Sequence, residues 1–157
     1  MEASGQTNEP TAADIMTADV ITIHESARVK ELAQLMADHR ISGVPVVDDR
    51  ELVVGIVTEG DMVEMDADIH FPHYISFMDS VIFLESVKKF DERVRHAAAA
   101  SVKDIMTTNV KVVQKDAPLH ELATIMSDQQ INRLPVLDGD ALVGIVTRAD
   151  VVRAMAG

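Results

Sequence analysis

Short apolar runs and helically spaced apolar positions alternate along the chain in an order that occurs twice. Each copy opens with a short β-branched segment, residues 20–23 and 110–113, which is typical of a strand. A helix is predicted next, because apolar residues recur at helical spacing in residues 29–38 and 119–128. Two apolar strands and a second helix follow, so each copy predicts the order β-α-β-β-α.

The two apolar strands of each copy are predicted to form a hairpin. In the first copy residues 44–47 and 52–57 flank a polar turn, and in the second copy residues 134–137 and 141–146 do so. The final helix is predicted to begin after Thr58 and after Thr147. Strands made almost entirely of Val, Ile and Leu indicate a sheet covered on both faces. The expected fold class is therefore α/β (α+β).

The two copies are also similar residue by residue. Asp14-Ile15-Met16-Thr17 recurs 90 positions later as Asp104-Ile105-Met106-Thr107, and Gly55-Ile56-Val57-Thr58 recurs 89 positions later as Gly144-Ile145-Val146-Thr147. The missing residue falls in the second hairpin turn, where a deletion is tolerated. A repeat of this length is marginal alone. We therefore expect two repeats, residues 12–66 and 101–157, packed as a pseudo-symmetric pair.

Residues 67–100 lie between the repeats and are predicted to be a helical insert. Pro72 precedes a predicted helix that begins near Asp79. Its apolar residues form two stripes at helical spacing: Phe83, Val87, Phe90 and Val94, and Phe77, Val81 and Leu84. A helix that is apolar on two sides is usually buried on two sides. Two interpretations stay open, a helix that also lines an oligomer contact and an ordinary core helix.

Composition excludes several classes of protein. The net charge of −12 disfavours binding to nucleic acid or to an anionic membrane surface, both of which need a basic face. The sequence has no Cys, so thiolate chemistry and Cys-ligated zinc are excluded. The polar N-terminus and the lack of a long apolar run favour a cytoplasmic protein. Nothing pairs a nucleophile with a base, so an enzyme is disfavoured.

The most specific local signal is Thr-x-x-Asp at the point where a strand runs into a helix. It occurs as Thr58 with Asp61 and as Thr147 with Asp150. One interpretation is a capping box that satisfies free backbone donors of the helix. The other is a sugar site, because a carboxylate in a crevice at a strand end can accept both hydroxyls of a ribose. The motif alone leaves both open.

Taken together, the motifs resemble a tandem pair of CBS domains, the module named after cystathionine β-synthase. The resemblance rests on Asp-Ile-Met-Thr, on residues 39–48 and 130–138 around Pro45-Val46 and Pro135-Val136, and on Gly-Ile-Val-Thr-x-x-Asp. It implies a flat disc of two repeats, which often dimerises, with clefts that bind adenosine compounds. These are AMP, ADP or ATP, with S-adenosylmethionine or cyclic di-AMP as further possibilities. It also implies that Thr and Asp hold the ribose, while basic residues meet phosphate.

Carried over residue by residue, the resemblance implies two clefts. The first would use Thr17, Val20, Arg40, Ile41, Ser42, Val44, Pro45, Thr147 and Asp150. The second would use Thr58, Asp61, Thr107, Val110, Ile131, Asn132, Arg133, Leu134 and Pro135. Because Arg40 lies beside His39, whereas Arg133 is alone, we expect the Arg40 cleft to bind more tightly.

Two functions remain as hypotheses. The first is a regulatory module that senses an adenine nucleotide and signals through a separate effector protein or through its own homodimer. The second is a structural or interaction module with empty clefts, in which Thr-x-x-Asp serves only as a helix cap. His70 and His73 have a spacing that can hold a metal, but no second ligand pair accompanies them. We therefore predict a loop or surface role for them and no metal site.

Overall fold

The structure of the protein is a computed structural model that describes residues 8–69, 74–77, 80–83 and 100–157. Its elements, in chain order, are α1 (Ala12–Ile15), β1 (Ile23–His24), α2 (Val29–His39), β2 (Gly43–Val47), β3 (Val53–Thr58), α3 (Glu59–Ile69), β4 (Tyr74–Phe77), β5 (Ser80–Phe83), α4 (Val102–Ile105), β6 (Val113–Gln114), α5 (Leu119–Asp128), β7 (Arg133–Asp138), β8 (Ala141–Thr147) and α6 (Arg148–Ala156). Within these ranges, no helix is both long and apolar enough to cross a bilayer.

The chain divides into two compact units. The central unit is Thr22–Val110, and the terminal unit combines Met1–Ile21 with Lys111–Gly157. Each contains a three-stranded sheet, in the order β1-β2-β3 or β6-β7-β8. The first pair of strands is parallel and the second antiparallel in both. The predicted α/β architecture of two repeats with one topology is confirmed.

The helices of each unit pack with its sheet to form a core, whereas β3 and β8 alternate buried and half-buried residues, so cover of both faces of the sheet stays a prediction. The core of the central unit is formed by Ile23, Leu32, Met36, Val44, Val46, Val57 and Val102. The core of the terminal unit is formed by Ala12, Val113, Ala117, Leu122, Met126, Leu134, Val136, Val146 and Val151. Leu32 and Leu122 occupy equivalent helix positions and are both fully buried. The 3.6-residue period of α2 and α5 therefore identified the packed face of each helix.

The opening strands are shorter and lie later than the sequence predicted. Residues 20–23 and 110–113 were the predicted strands, whereas β1 and β6 have two residues each. β1 pairs only with the end of β2, where Ile23 lies opposite Val46. β-branched residues favour an extended backbone but do not supply a partner strand, so pairing sets the length.

The first segment of each repeat does not pack with the rest of its own repeat. It packs in the compact unit that contains most of the other repeat. α1 packs in the terminal unit, where the Ala12 N–H donates to the Ala117 carbonyl at 2.8 Å. α4 packs in the central unit, where the Val102 N–H donates to the Ala27 carbonyl, also at 2.8 Å. The sequence repeats and the compact units thus divide the chain at different places.

Each of these segments is a single helical turn closed by a capping box, and neither turn was predicted from the apolar pattern. In α1 the Asp14 carboxylate accepts from the Thr11 backbone N–H at 2.8 Å, and these hydrogen bonds hold the pKa of Asp14 below its ordinary value. In α4 Asp104 accepts from the Ser101 N–H at 2.9 Å. A four-residue turn is too short to show a helical period, although Thr-x-x-Asp and Ser-x-x-Asp have the spacing of a capping box.

The insert contains a β-hairpin where a helix was predicted. β4 and β5 pair antiparallel, with Tyr74 opposite Phe83 and Phe77 opposite Ser80. The helix predicted to begin near Asp79 is therefore wrong for Ser80–Phe83. β-Branched and aromatic residues dominate both strands, and these residue types favour extended backbone over helix. The rest of that predicted helix, with Leu84, Val87, Phe90 and Val94, lies outside the described residues, as do His70, Pro72 and His73.

A close backbone approach explains why Gly-Ile-Val-Thr occurs together with Asp-Ile-Met-Thr. A Cβ atom on Gly144 would lie 2.2 Å from Met16 Sδ and 3.0 Å from Met16 Cβ. A Cβ atom on Gly55 would lie 2.4 Å from Met106 Sδ and 3.1 Å from the Thr107 carbonyl oxygen. Each glycine therefore leaves the space into which the methionine of the short helical segment packs.

Candidate functional site

The Asp61 corner, defined as Thr58 with Asp61, lies where β3 ends and α3 begins. The Asp61 Oδ2 atom accepts from the Thr58 backbone N–H at 2.8 Å and from the Thr58 hydroxyl at 3.2 Å. Both residues are partly exposed. The Asp61 carboxylate therefore caps the Thr58 N–H, as in the carboxylate half of the predicted capping box, and lies side by side with the Thr58 hydroxyl at the end of a strand.

The Asp150 corner, defined as Thr147 with Asp150, repeats this geometry between β8 and α6. The Asp150 Oδ2 atom accepts from the Thr147 N–H at 2.8 Å and from its hydroxyl at 2.9 Å, while the Asp150 N–H donates back to Thr147 Oγ1 at 3.3 Å. Asp150 is buried, with 7% of its surface exposed. Its second oxygen, Oδ1, forms an ion pair with the Arg153 guanidinium.

Each corner lies beside the threonine of an Asp-Ile-Met-Thr segment. Thr107 and Ile56 exchange backbone hydrogen bonds of 2.9 and 3.0 Å, which places Thr107 two residues along β3 from Thr58. Thr17 and Ile145 exchange equivalent bonds of 2.9 and 3.0 Å near Thr147. Both threonines are exposed. The structure thus brings together the predicted Thr17, Thr147 and Asp150, and equally Thr107, Thr58 and Asp61.

The predicted residues of the first cleft from Arg40 to Pro45 lie in the central unit, whereas Val20 belongs to the terminal unit. Val44 and Pro45 are buried in β2, and Gly43 of the same strand lies opposite Thr58. Arg40, Ile41 and Ser42 line a pocket of about 420 Å³ together with Ala33, Met36, Ala37, Glu59 and Met62. The Ser42 carbonyl accepts from the Glu59 N–H at 3.0 Å, so the pocket adjoins the start of α3.

The corresponding residues of the second predicted cleft have equivalent positions in the terminal unit. Leu134 and Pro135 are buried in β7, Arg133 lies opposite Thr147, and the Asn132 carbonyl accepts from the Arg148 N–H at 2.8 Å. Each unit therefore holds one Thr–Asp corner beside the strand residues that the family resemblance assigned to the other cleft. The predicted grouping of these sets into two clefts, including Val20, Val110 and Ile131, stays a prediction.

Arg40 has a backbone conformation that is unusual for its residue type. It follows the end of α2 with a φ of 52° and a ψ of 45°, and its N–H closes the last turn of the helix. Gln130, at the equivalent position of the second repeat, has the same φ of 52°. Non-glycine residues adopt this left-handed region rarely, at a cost of about 1 kcal/mol. Both repeats thus turn sharply from helix to strand at this point.

Arg153 is a site residue that the sequence analysis missed. Its side chain is 71% exposed and reaches one turn back along α6 to Asp150. The signal was available, because residues three apart on a helix lie on the same face. The methionines of the two Asp-Ile-Met-Thr segments were read only as core filler, whereas their contact with Gly55 and Gly144 positions the neighbouring threonines. Among the described residues, no three His, Asp or Glu side chains cluster as metal ligands would.

A protein-family model, described as the CBS domain, matches the chain at residues 12–68 and again at residues 102–157. Among sequence relatives, the uncharacterized protein MJ1426 of Methanocaldococcus jannaschii is 29% identical over 90% of this chain and 89% of its own length. The chloroplastic protein CBSX2 of Arabidopsis thaliana is 28% identical over 92% of this chain. The match spans 63% of the length of CBSX2.

Two solved structures are similar over nearly the whole chain. The crystal structure of CBSX2 in complex with AMP matches with a TM-score of 0.71 and 26% identity, covering 93% of this chain and 96% of that one. The CBS domain pair of protein MJ0100, in complex with 5′-methylthioadenosine and S-adenosylmethionine, matches with a TM-score of 0.72 and 27% identity, covering 95% and 98%. Both of these proteins hold adenosine compounds.

Proposed function

The chain belongs to the CBS domain family, and from that premise we propose that it is a regulatory module that binds adenosine-containing nucleotides. The observation that carries the proposal is the pair of Thr–Asp corners, each at a strand end and each beside the exposed threonine of an Asp-Ile-Met-Thr segment. Two structurally similar CBS domain pairs hold AMP, 5′-methylthioadenosine or S-adenosylmethionine, which supports an adenosine compound as the ligand.

The chemistry of the corner suits a ribose. The two hydroxyls of the sugar donate hydrogen bonds, and an ionised carboxylate only accepts them. In the Asp61 corner the capping box engages Oδ2, and Oδ1 has no partner among the described residues. At the Asp150 corner, the first turn of α6 adds a positive helix end, which favours a nearby phosphate. We propose AMP, ADP or ATP as the ligand class, with S-adenosylmethionine as a further candidate.

The binding residues we propose are those of the sequence prediction. Thr58 and Asp61 or Thr147 and Asp150 would hold the ribose, while Arg40 and Arg133 would meet phosphate. The Arg40 cleft would bind more tightly, because Arg40 has His39 beside it.

We propose that the protein is a cytoplasmic homodimer whose ligand-dependent state is read by a separate effector protein. Such signalling requires the ligand to bind one arrangement of the protein more tightly than another.

One observation favours the alternative function, a module that binds other proteins with its nucleotide sites unused. Asp150 already accepts two hydrogen bonds at Oδ2 and an ion pair at Oδ1, so its interactions are those of a well-satisfied helix cap. A carboxylate oxygen has more than one lone pair, and a ribose hydroxyl can still be accepted. Ligand binding decides between the two functions.

Isothermal titration of the full chain with AMP, ATP and S-adenosylmethionine tests the proposal. We expect binding of at least one compound, a matching rise in melting temperature, and two unequal sites. Asp61→Ala and Asp150→Ala should each abolish one site. Asp140→Ala removes the same charge from an exposed turn and is the matched control. No heat and no thermal shift with any adenosine compound would favour the interaction module, and equal affinities would contradict the predicted difference between the sites.

A further inference from the structure

The two Thr–Asp corners carry opposite charges immediately around them. The residue after Thr58 is Glu59 and the residue after Thr147 is Arg148, and both are exposed. Three residues beyond each aspartate the pattern repeats, with Glu64 after Asp61 and Arg153 after Asp150. The repeats thus match in the residues that build the corner and are reversed in charge at the two helix positions beside it.

The geometry places these charges close to the aspartates. Arg153 forms an ion pair with Asp150 across one turn of α6. Glu64 has the same spacing from Asp61 on α3, and residues three apart on a helix lie about 5–6 Å apart at their Cβ atoms. Within the described part of the chain, no ion pair involves Asp61. Including the aspartate itself, the Asp150 corner carries one net positive charge and the Asp61 corner three negative charges.

Such a difference acts on the group at the 5′ position of a bound adenosine. The shared capping box presents the carboxylate in the same way in both units, so the sugar would be held similarly in both. The 5′ groups of the two bound ligands then experience different electrostatic potentials. This effect extends over about one Debye length, which is about 8 Å at physiological salt. A 5′-phosphate is a dianion or monoanion, a 5′-thioether is neutral, and a 5′-sulfonium is a cation.

We propose that the two corners select adenosine compounds by the charge of the 5′ group. The Asp150 corner prefers 5′-phosphates, and the Asp61 corner prefers neutral or cationic 5′ groups such as a thioether or a sulfonium. The inference rests on the proposed nucleotide-binding function and assigns a ligand class to each corner. In this arrangement Arg153 does not bind the sugar; it neutralises Asp150 and keeps the corner attractive to an anion.

The test compares two ligands that differ only in their 5′ group, AMP and 5′-methylthioadenosine. Asp61→Ala leaves the Asp150 corner, and Asp150→Ala leaves the Asp61 corner, so each variant reports one corner by isothermal titration. We expect the ratio of the two dissociation constants to differ about tenfold between the variants, in favour of AMP at the Asp150 corner. The AMP preference there should weaken as salt is added.

Reversing one charge beside a corner tests whether electrostatics, and not another difference between the units, sets the ligand preference. In the Asp61→Ala background, Arg148→Glu should reduce the preference for AMP about threefold. Among the described residues the ion pair of Asp150 is with Arg153 and not with Arg148, so this variant leaves that ion pair in place. In the Asp150→Ala background, Glu64→Arg should shift the preference toward AMP by a similar factor. Lys30→Glu, on an exposed face of α2, makes the same change of net charge as Arg148→Glu and is its control in the Asp61→Ala background.

The outcomes distinguish this inference from the function on which it rests. The same AMP to methylthioadenosine ratio in both single variants, with binding intact, would overturn charge selection and leave the nucleotide-binding function standing. If the wild-type chain bound neither ligand, the proposed function itself would be overturned. A preference that differs between the corners but does not respond to Arg148→Glu or Glu64→Arg would assign selection to other residues and would also overturn the inference.

Discussion

The central and terminal units have one topology and the same Thr–Asp box, but they differ in the side chains that surround it. Asp150 is buried and held by Arg153, whereas Asp61 is partly exposed and is followed by Glu64. The positions that support the backbone are the same in both copies, and the positions that set local charge are not. The comparison indicates that one backbone frame is kept in both units while the electrostatics around each corner differ.

A second contrast lies at the hairpin turns. In the central unit His24 Nδ1 accepts from the Ser26 N–H at 3.1 Å, so its Nε2–H donates to the Asp49 carboxylate at 2.7 Å. In the terminal unit the equivalent Gln114 forms two hydrogen bonds of 3.0 Å with the Gly139 backbone. Both contacts tie the opening strand to the turn, one through an exposed carboxylate and the other through backbone groups.

The largest effect should come from closing the space over the glycines. Gly144→Ala places a Cβ atom against Met16, and overpacking of this kind costs about 1–3 kcal/mol of unfolding free energy. Combining it with Met16→Ala should recover part of that cost, because Met16 Sδ is removed while Met16 Cβ remains 3.0 Å away, and Met106→Ala should rescue Gly55→Ala to a similar extent, because the Thr107 carbonyl oxygen remains 3.1 Å away. Urea denaturation of the two double-mutant cycles measures this, and the absence of rescue in either cycle would contradict it.

The next largest effect should separate the two aspartates. Asp150→Ala removes a buried cap and leaves Thr147 and Arg153 without their partner, at a cost of about 2 kcal/mol. Asp61→Ala removes a more exposed cap and relieves repulsion with Glu64, so its cost should be about 1 kcal/mol or less. Denaturant unfolding, with Asp140→Ala as the exposed control, tests the order, and equal losses for Asp61 and Asp150 would reject it.

The smallest effect depends on pH and belongs to the terminal unit. The Glu9 carboxylate accepts from the His120 side chain at 2.8 Å and from its N–H at 2.7 Å, and these bonds lower the pKa of Glu9 below its ordinary 4.5. A lowered folded-state pKa gives stability that is complete above pH 4.5 and is lost as the pH falls through the folded-state pKa. The position equivalent to Glu9, just before the second repeat, is Ala99.

Glu9→Gln should therefore be slightly less stable than wild type at neutral pH, and the difference should vanish in acid, once Glu9 of the wild type is protonated. Melting temperatures recorded across this pH range measure the difference, with Glu121→Gln, next to His120 on α5, as a control. A difference that persists unchanged into acid would show that the carboxylate charge of Glu9 does not stabilise the unit.

The sequence predicted the regular elements well wherever a long period or a long apolar run was available. α2, α5 and the hairpin strands β2, β3, β7 and β8 lie within two residues of their predicted bounds, because burial of one face imposes the pattern. The single turns α1 and α4 were missed, since four residues carry no period. The helix near Asp79 was wrong at β5, where tertiary pairing and β-branched residues decide the backbone.

The candidate site was predictable in its chemistry and less so in its surroundings. Thr58, Asp61, Thr147 and Asp150 follow from a motif whose capping geometry is local, so the sequence suffices to find them. The Arg153 ion pair needed only helical spacing and was overlooked. The grouping of Thr17 with Thr147 and Asp150 came only from the family resemblance, because a contact across more than a hundred residues leaves no local pattern.

Because each unit contains the opening segment of the other repeat, the two units can complete folding at different stages of synthesis. The central unit is one uninterrupted stretch, Thr22–Val110, so it can close as soon as that stretch has left the ribosome. Ala12 contributes to a core whose other buried members lie between Val113 and Val151, so it must wait until translation has passed Val151. The segment that precedes Thr22 is thus made before the central unit but reaches its final place after it.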